Sequence, residues 1–303
     1  MGHYVFGLNN CWALKRFSEP EEWVEIAAAK MDVSAIQFSF DVLDPIVGVE
    51  ASADYVERTL DACSKYGVNI QSCSTGGSTY MSNLLLHPFP RLREYASDWY
   101  AKAVSLSRML GAETMGGHLG ALTVRDFSDG LRREALISEL IERLFSLSRI
   151  GQRSGLQALL WEPMPVSREP PSTIAEAQTL LARVEKGSFI PVKLCIDVGH
   201  ACNPYATDPR DKDPYEWLSR LGTVSACVHL QQTDGKADRH WPFTEEHNKV
   251  GLIDGRKVIS SLDKSGAGDT YLYLEAFPAF EQKDDQVIAE LLESVKYWKQ
   301  FLN

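Results

Sequence analysis

The stretch Lys193-Leu-Cys-Ile-Asp197-Val-Gly-His200 decides how the whole chain is read. A short apolar run stops at a carboxylate, and an imidazole follows three residues on. That is the pattern of a buried parallel strand whose C-terminal end opens into a polar site. Three further runs end alike: Leu156 to Glu162, Val224 to His229 and Thr270 to Glu275. Four strands of the second half therefore deliver Glu162, Asp197, His229 and Glu275 at their tips, and metal chemistry is the leading reading.

Working outward, the chain alternates strand and helix. Strands are expected at Tyr4 to Leu8, Val33 to Phe40, Val68 to Ser72 and Ala112 to Gly117, ahead of the four already named. Between them lie helical patterns: one from a capping box at Ser18-Glu-Pro-Glu21, one over Ser52 to Tyr66 stopped by Gly67, and one with Tyr95, Trp99, Ala103, Leu106 and Leu110 on a face. Amphipathic segments at Gly130 to Arg149, Ser172 to Glu185, Pro214 to Leu221, Ile253 to Leu262 and Gln286 to Leu302 complete the set, with a long polar loop over Gln231 to Lys249. Eight strands each followed by a helix predict a single (β/α)8 TIM barrel over residues 1–303. The rival, a doubly wound open sheet, lacks its GxGxxG turn between strand and helix. In a barrel the catalytic residues come from the C-terminal strand ends, which is where all the polar tips lie.

Composition narrows the function classes. The formal charge of −10 argues against a nucleic-acid backbone as partner, although a few local cations suffice for a small anion. No run approaches the ~18 apolar residues of a membrane span, and the N-terminus has no charged leader pattern. The six cysteines form no CxxC pair, and Cys195 and Cys227 sit inside apolar strands. Reduced, buried thiols in a cytoplasmic protein are the expectation.

Three carboxylates and one imidazole around a point are intolerable without a cation, because unpaired buried charges are costly. The oxygen-rich set suits one divalent ion, Mn²⁺ first, with Mg²⁺, Co²⁺ and Zn²⁺ compatible. For Asp197 alone an internal ion pair explains as much; four strands ending alike weaken that alternative. His200 falls about one turn beyond its strand, close enough to touch an ion ligand or a substrate. His118, in Gly116-Gly-His-Leu-Gly120, either lines the site or supports it. Trp12, Phe38 and Trp161 could wall a sugar's C–H face, but core packing is their commoner fate.

Glu162, the Asp197-Val-Gly-His200 motif, His229 and Glu275, each at a strand end, resemble the xylose-isomerase-like barrel superfamily across essentially the whole chain. That group holds sugar isomerases, ketose 3-epimerases, inosose dehydratases and endonuclease IV. Glu162-Pro-Met-Pro-Val-Ser-Arg168-Glu169 and Asp234-Gly-Lys236-Ala-Asp238-Arg239-His240 look most like the ketose and ketose-phosphate epimerases, including the tetrulose-phosphate epimerases of erythritol breakdown. The resemblance implies that Glu162 and Glu275 both hold metal and move the proton, that His200 and Glu169 hold substrate hydroxyls, and that Arg239 contacts substrate. The expected activity is a metal-dependent isomerase or epimerase acting on a sugar or sugar phosphate by proton abstraction next to a carbonyl, through an enediolate. Self-association into a homo-oligomer stays open.

Two other classes compete. Asp238-Arg-His240 resembles the endonuclease IV loop and with His200 could form a second metal site, His118 serving a third; a three-zinc phosphodiesterase is the runner-up. Against it stand the acidic charge and the lack of histidine at the third strand's exit, Cys73 to Tyr80. An inosose-dehydratase-like lyase shares the same first step, and a non-catalytic sugar- or protein-binding barrel would leave the glutamates unexplained.

Overall fold

The computed structural model describes residues 2–302. The end residues of the expected 1–303 domain, Met1 and Asn303, lie outside the described residues. Eight strands close in chain order into a wholly parallel barrel. They are β1 (Tyr4–Asn9), β2 (Ala35–Ser39), β3 (Asn69–Ser74), β4 (Thr114–Gly117), β5 (Ala158–Trp161), β6 (Val192–Asp197), β7 (Ser225–Leu230) and β8 (Thr270–Leu274). The expected (β/α)8 architecture is what the chain adopts. Among the described residues no helix is long and apolar enough to cross a membrane.

Strand alternation sorts side chains between two cores. Outward residues such as Leu8, Ile36, Phe38, Trp161, Ile196 and Leu272 meet the helices, where Trp23, Trp99, Trp217 and Trp298 are sealed in one continuous cluster. Each large apolar side chain so buried contributes ~1.5–3 kcal/mol. Trp12, Phe38 and Trp161 belong to this cluster, so none of them walls the site. Inside the barrel Leu160, Cys195, Cys227 and Tyr273 form an apolar plug. Above the plug the interior turns polar, with Asn9, Gln37, Ser72, Ser74, Asp197 and His229 all buried. All six cysteines are free and buried, as expected.

Some local expectations fail for identifiable reasons. The Ser18–Glu21 capping box does not form: Glu19 is the N-cap of Pro20–Glu25 and makes no side-chain cap bond. Arg58 has taken the carboxylates of Glu19 and Glu21 instead. On the helix Pro90–Met109 the buried face runs through Ala96, Trp99, Tyr100 and Ala103, and Tyr95 is left outside at 55% exposure. The long loop after β7 is less open than its composition suggests. Gln232 and Trp241 exchange backbone hydrogen bonds and a short helix occupies Glu245–Val250. That fold-back returns Asp238 and His240 over the barrel mouth.

Candidate metal centre and active site

The register of the barrel gathers the four expected tips. Asp197 closes β6 and stands opposite His229 of β7, while Glu162 and Glu275 follow the last residues of β5 and β8. One ligand atom from each of Glu162, Asp197, His229 and Glu275 lies within 4.8 Å of the others, and all four residues are buried. Ligands on opposite sides of one divalent ion stand roughly 4–5 Å apart, given bonds of ~2.0–2.6 Å. His229 Nδ1 is the hub, 2.9 Å from Glu275 Oε2, 3.1 Å from Glu162 Oε1 and 4.0 Å from Asp197 Oδ2.

An observation on Asp197 tests whether the set fits an ion. Its Oδ1 accepts from Gly199 N (2.6 Å), His200 N (3.1 Å) and Gln231 Nε2 (3.0 Å). Its Oδ2 is buried and has no partner. A buried carboxylate oxygen left bare in this way is unfavourable unless a cation meets it, so the donor set fits a divalent metal. A Cβ at Gly199 in the DVGH motif would displace the Gln231 side-chain amide, which bonds Asp197 and Asp238.

Electrostatics point the same way. Burial alone would push the pKa of His229 down, but Glu275 and then Glu162 outweigh it and hold the imidazole well above its ordinary value. Burial likewise opposes ionisation of Glu275, yet the His229 charge draws its pKa down to about 2. Protein cations thus stand where a metal charge would stand, and Glu275 is ionised through the neutral range.

The remaining expected residues divide. His200 opens a 3-10 turn beyond β6, its Nδ1 3.4 Å from Glu162 Oε1 and its Nε2 3.2 Å from Asp238 Oδ2. His118 is 3% exposed, its backbone N–H held by Thr75 Oγ1 (3.0 Å) and its Nε2 without a partner. Burial first, and the His200 charge second, push its pKa down to about 3, so it is a neutral imidazole. Glu169 stands one layer out. Its carboxylate accepts from the Tyr80 hydroxyl at 3.2 Å, and burial raises its pKa.

Arg239 does not reach the site. Its guanidinium is forked onto Asp234 at 3.0 and 3.1 Å, lies over the Trp241 ring and lines a neighbouring groove. The Gly235 turn brings Asp234 within its reach, and that ion pair holds the fork outside.

The cavity above the cluster contains about 440 Å³ of empty space, part of it open to solvent. Glu162, His200, Asp238, His240 and Glu275 line its polar side, and Tyr80, Met164 and Phe277 its apolar side. The mixture of polar and apolar walls suits a small polar ligand with a C–H face. Sequence reasoning quoted Asp238 and His240 within the epimerase-like Asp234–His240 stretch but gave them a role only under the nuclease alternative. In the structure His240 Nε2 and His200 Nε2 grip the same Asp238 oxygen, at 3.1 and 3.2 Å. Among the described residues Asp197, His200 and His240 form a second group spaced for an ion; Asp238, which the nuclease alternative placed with His200 and His240, and His118 belong to neither group. Asn9 and Gln37, which touch Glu275 and His229, were missed: Gln37 is a lone amide between apolar neighbours, and Asn9, beside Asn10, falls past the expected end of the first strand.

A family model described as the xylose isomerase-like TIM barrel matches residues 26–298. The D-erythrulose 1-phosphate 3-epimerase of Brucella abortus is 30% identical over 298 residues, covering 97% of this chain and 95% of that one. Among solved structures, a xylose isomerase candidate from Rhodospirillum rubrum superposes with a TM-score of 0.90 at 28% identity, covering 98% of this chain and 99% of that one. A D-psicose 3-epimerase from Clostridium cellulolyticum, solved with D-tagatose, shares the fold over 100% of both chains, with a TM-score of 0.70 at 13% identity.

Proposed function

The chain belongs to the xylose isomerase-like TIM-barrel family, and from that premise we propose that it is a divalent-metal-dependent epimerase of a ketose phosphate. The observation that carries the reading is the buried Glu162–Asp197–His229–Glu275 cluster, with its bare Asp197 oxygen, at the floor of a cavity with mixed polar and apolar walls. The Brucella abortus relative, named for a four-carbon ketose phosphate, supplies the substrate class.

Those four residues would hold one ion, Mn²⁺ by the preference of an oxygen-rich set. When bound, the ion supplies Lewis-acid polarisation of the substrate carbonyl, which acidifies the neighbouring C–H. The chain does the rest. Glu162 and Glu275 come from β5 and β8, on different sides of the barrel mouth, so one, ionised, can take the proton from the carbon beside the carbonyl while the other, protonated from solvent, delivers a different proton to the opposite face. His200, paired to Asp238, and neutral His118 offer hydrogen bonds to substrate hydroxyls, and Glu169 holds Tyr80 as a wall. Tyr80, Met164 and Phe277 exclude water from one face of the planar intermediate. Six free thiols accord with work in the cytoplasm.

The test is direct. Mn²⁺-loaded protein in D₂O should interconvert D-erythrulose 1-phosphate with an epimer and place deuterium at the inverted carbon. Deuterium next to a terminal carbonyl would identify an aldose–ketose isomerase, and loss of water a dehydratase; either outcome overturns the epimerase reading. Equal turnover of the free ketose would remove the phosphate from it.

His118→Phe keeps a ring against Tyr80 and removes the unpartnered nitrogen. It is expected to raise KM about tenfold, the scale of one net hydrogen bond to a neutral group, with Mn²⁺ affinity unchanged. Steady-state kinetics beside an ion titration check it, and an unaltered KM removes His118 from substrate binding.

A further inference from the structure

We propose that Asn9 and Gln37, on the first two strands, set which ring nitrogen of His229 faces the carboxylates and so hold the ion-binding geometry from behind; this rests on reading Glu162, Asp197, His229 and Glu275 as ion ligands. The two amides are neighbours across the β1–β2 pair, Asn9 in register with Gln37. Asn9, Gln37, Ser72 and Ser74 are no more than 2% exposed, so water cannot replace a missing partner.

The polarity of the chain of hydrogen bonds starts from a group that has no choice. The backbone N–H of Cys11 can only donate, and it donates to one end of the Asn9 amide at 3.0 Å, which makes that end the oxygen. The other end, Nδ2, must donate. It lies 2.9 Å from Glu275 Oε1, 3.0 Å from Ser74 Oγ and 2.8 Å from Gln37. Gln37 therefore turns its oxygen toward Asn9, and its own Nε2 toward Ser72 Oγ at 3.3 Å. The same Gln37 oxygen stands 2.6 Å from His229 Nε2. Two acceptors cannot bond, so Nε2 carries the proton and Nδ1 is the nitrogen offered to Glu162, Glu275 and Asp197. One asparagine thus restrains Glu275 directly and His229 through Gln37, two ligands from adjacent strands. Both are positioning residues. A ligating histidine whose far nitrogen is held this way gives a better-defined site, and loss of such a partner typically costs 10–100-fold in metal affinity.

Gln37→Leu, nearly isosteric, removes the acceptor; Gln37→Glu keeps an oxygen facing both donors. Titration calorimetry with Mn²⁺ should show a Kd raised ~10–100-fold for the first and restored to within a few-fold of wild type for the second, a rescue that a filler role would not give. Circular dichroism and thermal unfolding in chelator report whether each variant folds. Should Gln37→Leu fail to fold, Zn²⁺-loaded wild type labelled with ¹⁵N-histidine decides: long-range proton–nitrogen correlations should find Nε2 protonated and Nδ1 ligated. The reverse assignment overturns the proposal. A wild type that binds Mn²⁺ while Gln37→Leu binds it equally well overturns the relay alone, whereas a wild type with no affinity for divalent ions overturns the metal reading and the relay together.

Discussion

Glutamine in place of Glu275 is expected to lower kcat by at least ~10²-fold, the usual scale for removing a general acid–base group. Glu275 Oε1 is tied to Asn9 Nδ2, and Oε2 faces His229 Nδ1 at 2.9 Å and His240 Nδ1 at 3.6 Å. With its pKa drawn down to about 2 beside His229 the carboxylate is ionised at neutral pH, the form a base requires. A glutamine keeps its oxygen on Asn9, because the Asn9 nitrogen must donate, and is left presenting an amide N–H₂ where the base stood. Glu162→Gln should behave alike, since Glu162 Oε1 faces His229 Nδ1 at 3.1 Å and His200 Nδ1 at 3.4 Å. Weakened ion binding could imitate the loss, so kcat has to be measured at confirmed metal occupancy. Solvent exchange separates the two roles. Each single variant retains one base and should still wash deuterium into one face without inverting the carbon. The double variant should do neither, and its defect should fall well short of the product of the single ones. An inverted product free of solvent deuterium would rule out both glutamates as the proton carriers.

That assignment leans on residues the sequence made legible, and the legibility has a physical basis. A parallel barrel strand is buried on both faces, so it reads as a continuous apolar run, and a carboxylate or imidazole ending such a run stands out. Glu162, Asp197, His229 and Glu275 were visible for that reason, and the eight-fold strand–helix alternation gave the barrel. Gln37 stayed hidden because a single amide in an apolar strand looks like tolerated noise, and Asn9 because with Asn10 it looks like the start of a loop; their partners lie on β7 and just past β8. Asp238 and His240 were quoted without a role in the epimerase reading, and the loop's return over the mouth depends on the backbone pairing of Gln232 with Trp241, which composition does not encode. Arg239 failed for the opposite reason. A nearby cation is an attractive substrate contact in one dimension, but Asp234, five residues earlier, already holds it.

Asp197→Asn should abolish ion-dependent stabilisation and leave the fold intact. The Asp197 Oδ1 accepts three N–H groups, from Gly199, His200 and the Gln231 amide, so an asparagine is forced to keep its oxygen there. Its nitrogen then occupies the place of the bare Oδ2 and points two N–H donors into the ligand cluster. A donor cannot ligate a cation, so the substitution removes one ligand and obstructs the remaining three without disturbing the turn that carries His200. Wild-type protein at an ion concentration ~1,000 times Kd should gain about 4 kcal/mol, seen as a rise of several degrees in Tm. The variant should gain almost nothing. In chelator the order should level or invert, because the variant carries one fewer negative charge among three clustered carboxylates and buries no bare oxygen. Thermal unfolding of both proteins, with Mn²⁺ and with EDTA, reads all four states. An equal ion-induced shift in the two proteins would remove Asp197 from the ligand set, and a variant much less stable than wild type in EDTA would make this carboxylate a structural support of the β6 turn rather than a metal ligand.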